Sequence, residues 1–171
     1  MNSNKASSIR IDPNNGNISI KQQDLIKPYM LIQDFLALKL YWRYAWHYAF
    51  GKNTFRDLRN GKGQLQMKVP EIYGYDWIFT FEFSNRQLKS VLMQVARPPL
   101  LKSVSLSKHD FHLYCGLLKK NCLDDLQLKD QEIESPVKFP WGLVKVGSYP
   151  DGSALKLIVH YQVFRRSCVN A

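Results

Sequence analysis

The sequence predicts an α+β fold: one domain in which a small antiparallel sheet packs against a long central helix and two shorter helices, behind a flexible N-terminal arm. Three observations predict it. At 171 residues with 45% hydrophobic side chains, the chain has one domain's length and material for one core. Its apolar residues alternate with a period of two in some stretches and recur at helical spacing in others. Its first sixteen residues carry Asn, Ser, Pro and Gly with few apolar side chains, the composition of an arm (1–16) ahead of a globular domain (17–171).

The arm ends in the turn-forming run "DPNNGN", and "NISIK" then alternates as a short strand. "FLALKLYWRYAWHYAF" (35–50) fits both templates. Every even position is apolar, as in a strand, yet Lys39, Arg43 and His47 form an i, i+4, i+8 stripe, as on a helix. Pro28 stands where a helix begins and Gly51 where one ends, and Ile32 is the sole β-branched residue from 29 to 50. These features favour one long helix. It is not expected to span a membrane, because Asp34, Lys39 and Arg43 would each cost about 2.5–3.5 kcal/mol at a bilayer centre. A core helix with one solvated stripe is the expectation, and a helix lying in a membrane interface is the alternative.

"WIFTFEF" (77–83) alternates as a strand. "SNRQLKSVLMQVARPP" reads as an amphipathic helix with Leu88, Val91, Leu92 and Val95 on one face, Ser84 as its cap and Pro98 as its stop. "SLSKHDFHLYCGLLKKN" reads as another, with Asp110 in its first turn and Lys119 and Lys120 in its last. "WGLVKVGSYPDGSALKLIVHYQVF" is a hairpin pattern: two alternating runs around Pro150-Asp151-Gly152.

Charge is the outstanding compositional feature. Twenty-four Lys and Arg face fourteen Asp and Glu, a net +10, with a pI near 9.6. Such a balance favours polyanionic partners: nucleic acid, anionic headgroups or an acidic protein. The stretch 121–136 holds five acids and one lysine, so the rest of the chain is at +14. Two basic stretches stand out. One is the loop carrying Lys52, Arg56, Arg59, Lys62 and Lys68 against Asp57. The other is the acid-free interval from Glu82 to Asp110, with Arg86, Lys89, Arg97, Lys102 and Lys108. Contacts from such stretches to phosphates are non-specific and salt-sensitive.

No catalytic fingerprint is present. "NGKG" lacks the spacing of a phosphate-cradling loop. His109, His112 and Cys115 approach one helix face but fall short of the four ligands zinc takes, so they read as ordinary helix residues. Asp124 and Asp125 are adjacent and seldom converge on one substrate, and no nucleophile elbow occurs. Three irregularly spaced cysteines read as reduced intracellular thiols. The start has neither the apolar segment of a secretory signal nor a glycine for myristoylation.

The order of these motifs resembles that of rhabdovirus matrix proteins, of the short kind found in plant-infecting members. "KPYMLIQDFLALKLYWRYAWHYAFG" is similar to their Lys/Arg-Pro step, long helix and aromatic-basic cluster before a glycine. "VPEIYGYDWIFTFEF" resembles their Val-Pro-Glu, strand and helix succession, and "FPWGLVKVGSYPDGSALKLIVHYQVF" their closing strand and hairpin. The likeness covers about residues 17–164. A Pro-Pro-x-Tyr budding motif is absent, since "RPPLL" lacks the tyrosine, and the short arm carries only Lys5 and Arg10.

The resemblance implies a structural protein without cofactor or catalytic activity, beneath the envelope of a virion and in the host cytoplasm and at host membranes. It would self-associate through the arm (Ile9, Ile11, Pro13) and bridge the nucleoprotein–RNA complex to anionic lipids, with the viral glycoprotein as a further partner. Lys52, Arg56, Arg59, Lys62, Lys68, Arg86, Lys89, Arg97 and Lys102 are the expected membrane- and nucleocapsid-binding residues. The alternatives are a basic RNA-binding accessory protein (a silencing suppressor or movement protein) and a small hydrolase using His109 or His112.

Overall fold

The computed structural model describes residues 9–21, 23–44, 60–72, 75–95, 136–148 and 155–161. Two antiparallel sheets share one core. The smaller is β1 (Ile9–Ile11), β2 (Ile18–Ile20) and β3 (Gln23–Ile26), in that order. Two short helices follow, α1 (Ile32–Leu36) and α2 (Lys39–Tyr44). The larger sheet holds β4 (Gly63–Ile72), β5 (Tyr75–Ser84), β6 (Gln87–Val95), β7 (Val137–Phe139), β8 (Gly142–Ser148) and β9 (Leu155–Tyr161). Its strand order is β4-β5-β6-β9-β8-β7. Two three-stranded meanders are thus joined edge to edge, with β6 against β9.

The expected architecture is corrected at three places. The sheet is large rather than small, because residues 84–95 of the expected helix pair as strand and turn. Leu88, Val91, Leu92 and Val95 fit a helical face, but β6 pairs along most of its length with β5 and β9. Asn85 and Arg86 both take left-handed backbone angles, φ 52° and 63°. They form the two-residue turn whose twist matches a hairpin. Ser84 pairs with Gln87 instead of capping a helix.

The long central helix is also absent. Of residues 29–50, those described reach Tyr44: 29–31 lie in a turn and a bridge, and α1 and α2 follow, broken at Ala37 and Leu38. Across the break the Trp42 indole N–H donates to the Leu36 carbonyl at 2.6 Å. Phe35 enters the core, where its ring centroid lies 4.5 Å from that of Phe81 and 5.5 Å from that of Phe83. Ahead of α1, Pro28 and Tyr29 are the central residues of a turn closed by Met30 N–H to the Lys27 carbonyl, with Tyr29 at φ 60°.

The third correction falls on residues 9–16 of the expected arm, residues 1–8 lying outside the described residues. Ile9 and Ile11 are fully buried in β1. "DPNNGN" is the β1–β2 turn: the Asp12 carboxylate accepts from Asn14 N–H and the Asn15 amide, while Gly16 sits at φ 73°. The expected self-association residues Ile9 and Ile11 therefore pack in this chain's own core. Pro13 lends its carbonyl to the Trp141 indole at 2.8 Å. A long-range hydrophobic gain of this kind outweighs the local polar composition that suggests an arm.

The core lies on one face of the six-stranded sheet. Leu65, Met67 and Val69 of β4, Trp77, Phe79, Phe81 and Phe83 of β5, Val91 and Met93 of β6, and Leu157 and Val159 of β9 meet the isoleucines of the small sheet and Phe35, Leu40 and Tyr41 of the helices. "WIFTFEF" is the central part of β5, and the closing hairpin is β8 paired with β9. The expected helix over 105–121, the acidic stretch through 135 and the turn at 150–152 lie outside the described residues.

Candidate polyanion-binding face

Because side chains alternate along a strand, the face of the six-stranded sheet away from the core follows from register. Three rows run across it. The first is Lys68, Ile78, Gln94, Lys156 and Gly147; the second is Gln66, Thr80, Leu92, Ile158 and Lys145; the third is Gln64, Glu82, Ser90, His160, Leu143 and Lys138. The rows mix half-buried aliphatic side chains with amides, hydroxyls and ammonium groups. Thr80 and Ser90 are themselves buried.

The two halves of this face differ in charge balance. On the β4–β6 side Asp76 and Glu82 each have a partner, and Glu71 is exposed on β4. Lys68 Nζ lies 2.8 Å from Asp76 Oδ2, both side chains being about two-fifths exposed. The hydrogen bond from Lys68 holds the Asp76 carboxyl below its usual range, with a smaller help from the charge of Lys21. Ser90 Oγ donates to Glu82 Oε2 at 2.7 Å. On the β7–β9 side the strands contain Lys138, Lys145, Lys156 and His160 and no carboxylate.

Those three lysines form a diagonal. Lys138 pairs across from Leu143, two residues before Lys145, and Lys145 pairs across from Ile158, two residues after Lys156. Each step to the next strand is therefore a diagonal cross-strand neighbour, about 7–8 Å away. Lys138 and Lys145 are exposed, Lys156 is half-buried, and Gly147 beside Lys156 adds no side chain to the face. A line of like charges is unfavourable alone and favourable once an anion runs along it.

The expected basic residues are distributed differently. Lys62 is exposed just ahead of β4, and Arg86 is exposed at the β5–β6 turn. The two basic stretches do meet here, since Arg86 N–H donates to the Gly61 carbonyl at 2.8 Å. Lys68 is engaged by Asp76. Lys89 is half-buried, its Nζ 5.7 Å from the Tyr29 ring centroid and 3.3 Å from Gln87 Oε1. Lys52, Arg56, Arg59, Arg97 and Lys102 lie outside the described residues, as do His109, His112 and Cys115. Among the described residues no three His, Cys, Asp or Glu side chains gather as metal ligands would. No described helix is long and apolar enough to cross a membrane.

Sequence reasoning passed over Lys138, Lys145 and Lys156. The signal available was their place at non-core positions of the closing alternating runs, with no acid between Lys138 and Pro150.

A second cationic cluster sits on the core side. There α2 buries Leu40 and Tyr41 and leaves Lys39, Trp42 and Arg43 exposed. Arg43 Cζ lies 5.5 Å and Lys21 Nζ 5.9 Å from the Tyr44 ring centroid. This cluster adjoins β4, which α2 contacts. The lysine diagonal ends on β7, the opposite edge of the sheet. Five strand spacings separate those edges, about 24 Å.

No protein-family model and no curated protein matches the chain. Among solved structures, the chain is similar to one in a structure titled "Rhs1-CT in complex with cognate immunity protein RhsI1". The TM-score is 0.52, over 90% of this chain and 87% of that one, at 11% sequence identity. At that identity the likeness shows a shared fold and nothing of function.

Proposed function

We propose that this chain is a structural binding protein that ties polyanionic surfaces together, in the form the matrix-protein resemblance implies. It self-associates and bridges a viral ribonucleoprotein to an anionic membrane. The observation that carries the reading is the lysine diagonal, Lys138–Lys145–Lys156, on strands that hold no carboxylate. A bridge needs a second anion-facing surface, and the Lys39–Arg43 cluster at the far edge of the sheet supplies a candidate. The second reading is an RNA-binding accessory protein, favoured by the even steps of the diagonal, which suit a single phosphodiester chain.

The two readings separate in one experiment. Single-stranded RNA and phosphatidylserine-containing vesicles are offered to the full chain separately and then together. Bridging predicts that RNA sediments with the vesicles only when protein is present. RNA binding without vesicle retention supports the accessory reading, and failure to bind either sinks both. Self-association is read by sedimentation after removal of residues 1–8, a cut that leaves β1 intact.

A further inference from the structure

Trp42 is an anomaly beside Tyr41 and Trp77, which are buried, and Tyr29, Tyr44 and Phe139, which are half-buried. The indole is 60% exposed, and Leu31, at 38%, is the other exposed large hydrophobic side chain among the described residues. The ring is nevertheless held in place. Its N–H donates to the Leu36 carbonyl at the end of α1, and its plane meets that of Tyr41 edge-on, with the ring centroids 5.3 Å apart. An indole whose N–H is satisfied within the protein can leave water without losing a hydrogen bond.

The surroundings select the medium. Lys39 and Arg43 flank Trp42 in the same helix, and Lys21 and Arg43 approach Tyr44 beside it. No carboxylate occurs in α2; Asp34, exposed in α1, is the acid nearest in sequence. A protein interface needs a broad desolvated patch around its anchor, and the described surface offers one ring among long cations. A bilayer interface asks for less: one amphipathic ring at headgroup depth and cations beside acidic lipid.

We propose that Trp42 is the point at which this protein enters the interfacial layer of an anionic membrane, with Lys39 and Arg43 on the lipid headgroups. The inference rests on the bridging reading and assigns its membrane side to α2, leaving the lysine diagonal for the ribonucleoprotein.

The test uses the full chain, with vesicles of phosphatidylcholine alone or mixed with phosphatidylserine, and with single-stranded RNA. Trp42→Ala should weaken binding to the mixed vesicles about tenfold, the effect of withdrawing part of one aromatic ring from water. Lys39→Glu with Arg43→Glu should weaken it at least as much, and neither change should alter RNA affinity. Bromine-labelled lipid should quench the fluorescence of the parent chain more than that of Trp42→Phe. The inference is overturned by undiminished vesicle binding of Trp42→Ala, by an equal loss of RNA affinity (base stacking), or by equal binding to phosphatidylcholine alone. If the parent chain ignores all vesicles, the membrane half of the bridging reading falls with it. RNA binding lost in Lys145 variants would still stand apart from that failure.

Discussion

Neutralising Lys138 and Lys145 together tests the diagonal most directly. Both side chains are exposed on the face opposite the core, so glutamine at either position should change stability by no more than about 0.5 kcal/mol. If a single-stranded phosphodiester runs along the diagonal, each lysine displaces a condensed counterion, with a slope of about 0.7 per contact. Removing two contacts should flatten the plot of log affinity against log salt by about 1.4. At about 1 kcal/mol per basic residue near an anionic surface, the pair is worth about 2 kcal/mol, or about thirtyfold in affinity at low salt. Fluorescence anisotropy of a labelled RNA, titrated at several salt concentrations, reads both quantities. Lys27→Gln serves as the control, removing an exposed charge at a turn whose Tyr29 packs against Tyr161 on the core side of β9, not on the lysine face. An unchanged slope in the double variant, or an equal change in the control, would refute the idea that register creates the site.

Two further outcomes follow from the packing and the charge pairing. A Cβ at Gly142 would fall against the backbone carbonyl of His160 on the paired strand, where neither partner can move alone. Gly142→Ala should therefore cost about 3 kcal/mol in urea unfolding, and parental stability would contradict the described approach of β8 to β9. At the other end of the sheet, the Lys68 hydrogen bond lowers the Asp76 pKa from 3.8. A depressed carboxyl pKa supports the fold above the unfolded value and loses that support as pH falls through the folded one. Lys68→Met should return the Asp76 titration, followed by NMR, toward the ordinary range. An unmoved titration would assign the shift elsewhere.

Some of this protein is legible in its sequence alone. Alternation named β5 and the closing hairpin, and "DPNNGN" named a turn, because those signals are local: period, turn chemistry and backbone preference. Residues 84–98 misled for a physical reason. Leu88, Val91, Leu92 and Val95 suit a helix, Val91, Met93 and Val95 suit a strand, and β5 and β9 supply backbone partners that a local reading cannot see. Residues 35–50 likewise satisfied both templates, and the long helix gave way to a break between α1 and α2, with Phe35 packed against Phe81. Ile9 and Ile11 looked like an arm because two isoleucines among polar neighbours show no core until the larger sheet stands opposite them.

By itself the chain of residues determined the strong positive balance, the strand character of 77–83 and of the closing hairpin, and the shortage of catalytic motifs, all of which depend on composition and near neighbours. Only the tertiary structure decided which cations stand together. Lys138 and Lys156 are eighteen positions apart, and a shift of one residue in pairing would turn one set of lysines into the core. The exposure of Trp42 was decided the same way, by where α1 stops. Register and helix ends are settled by the free energy of burying the whole core, to which no single stretch of sequence has access.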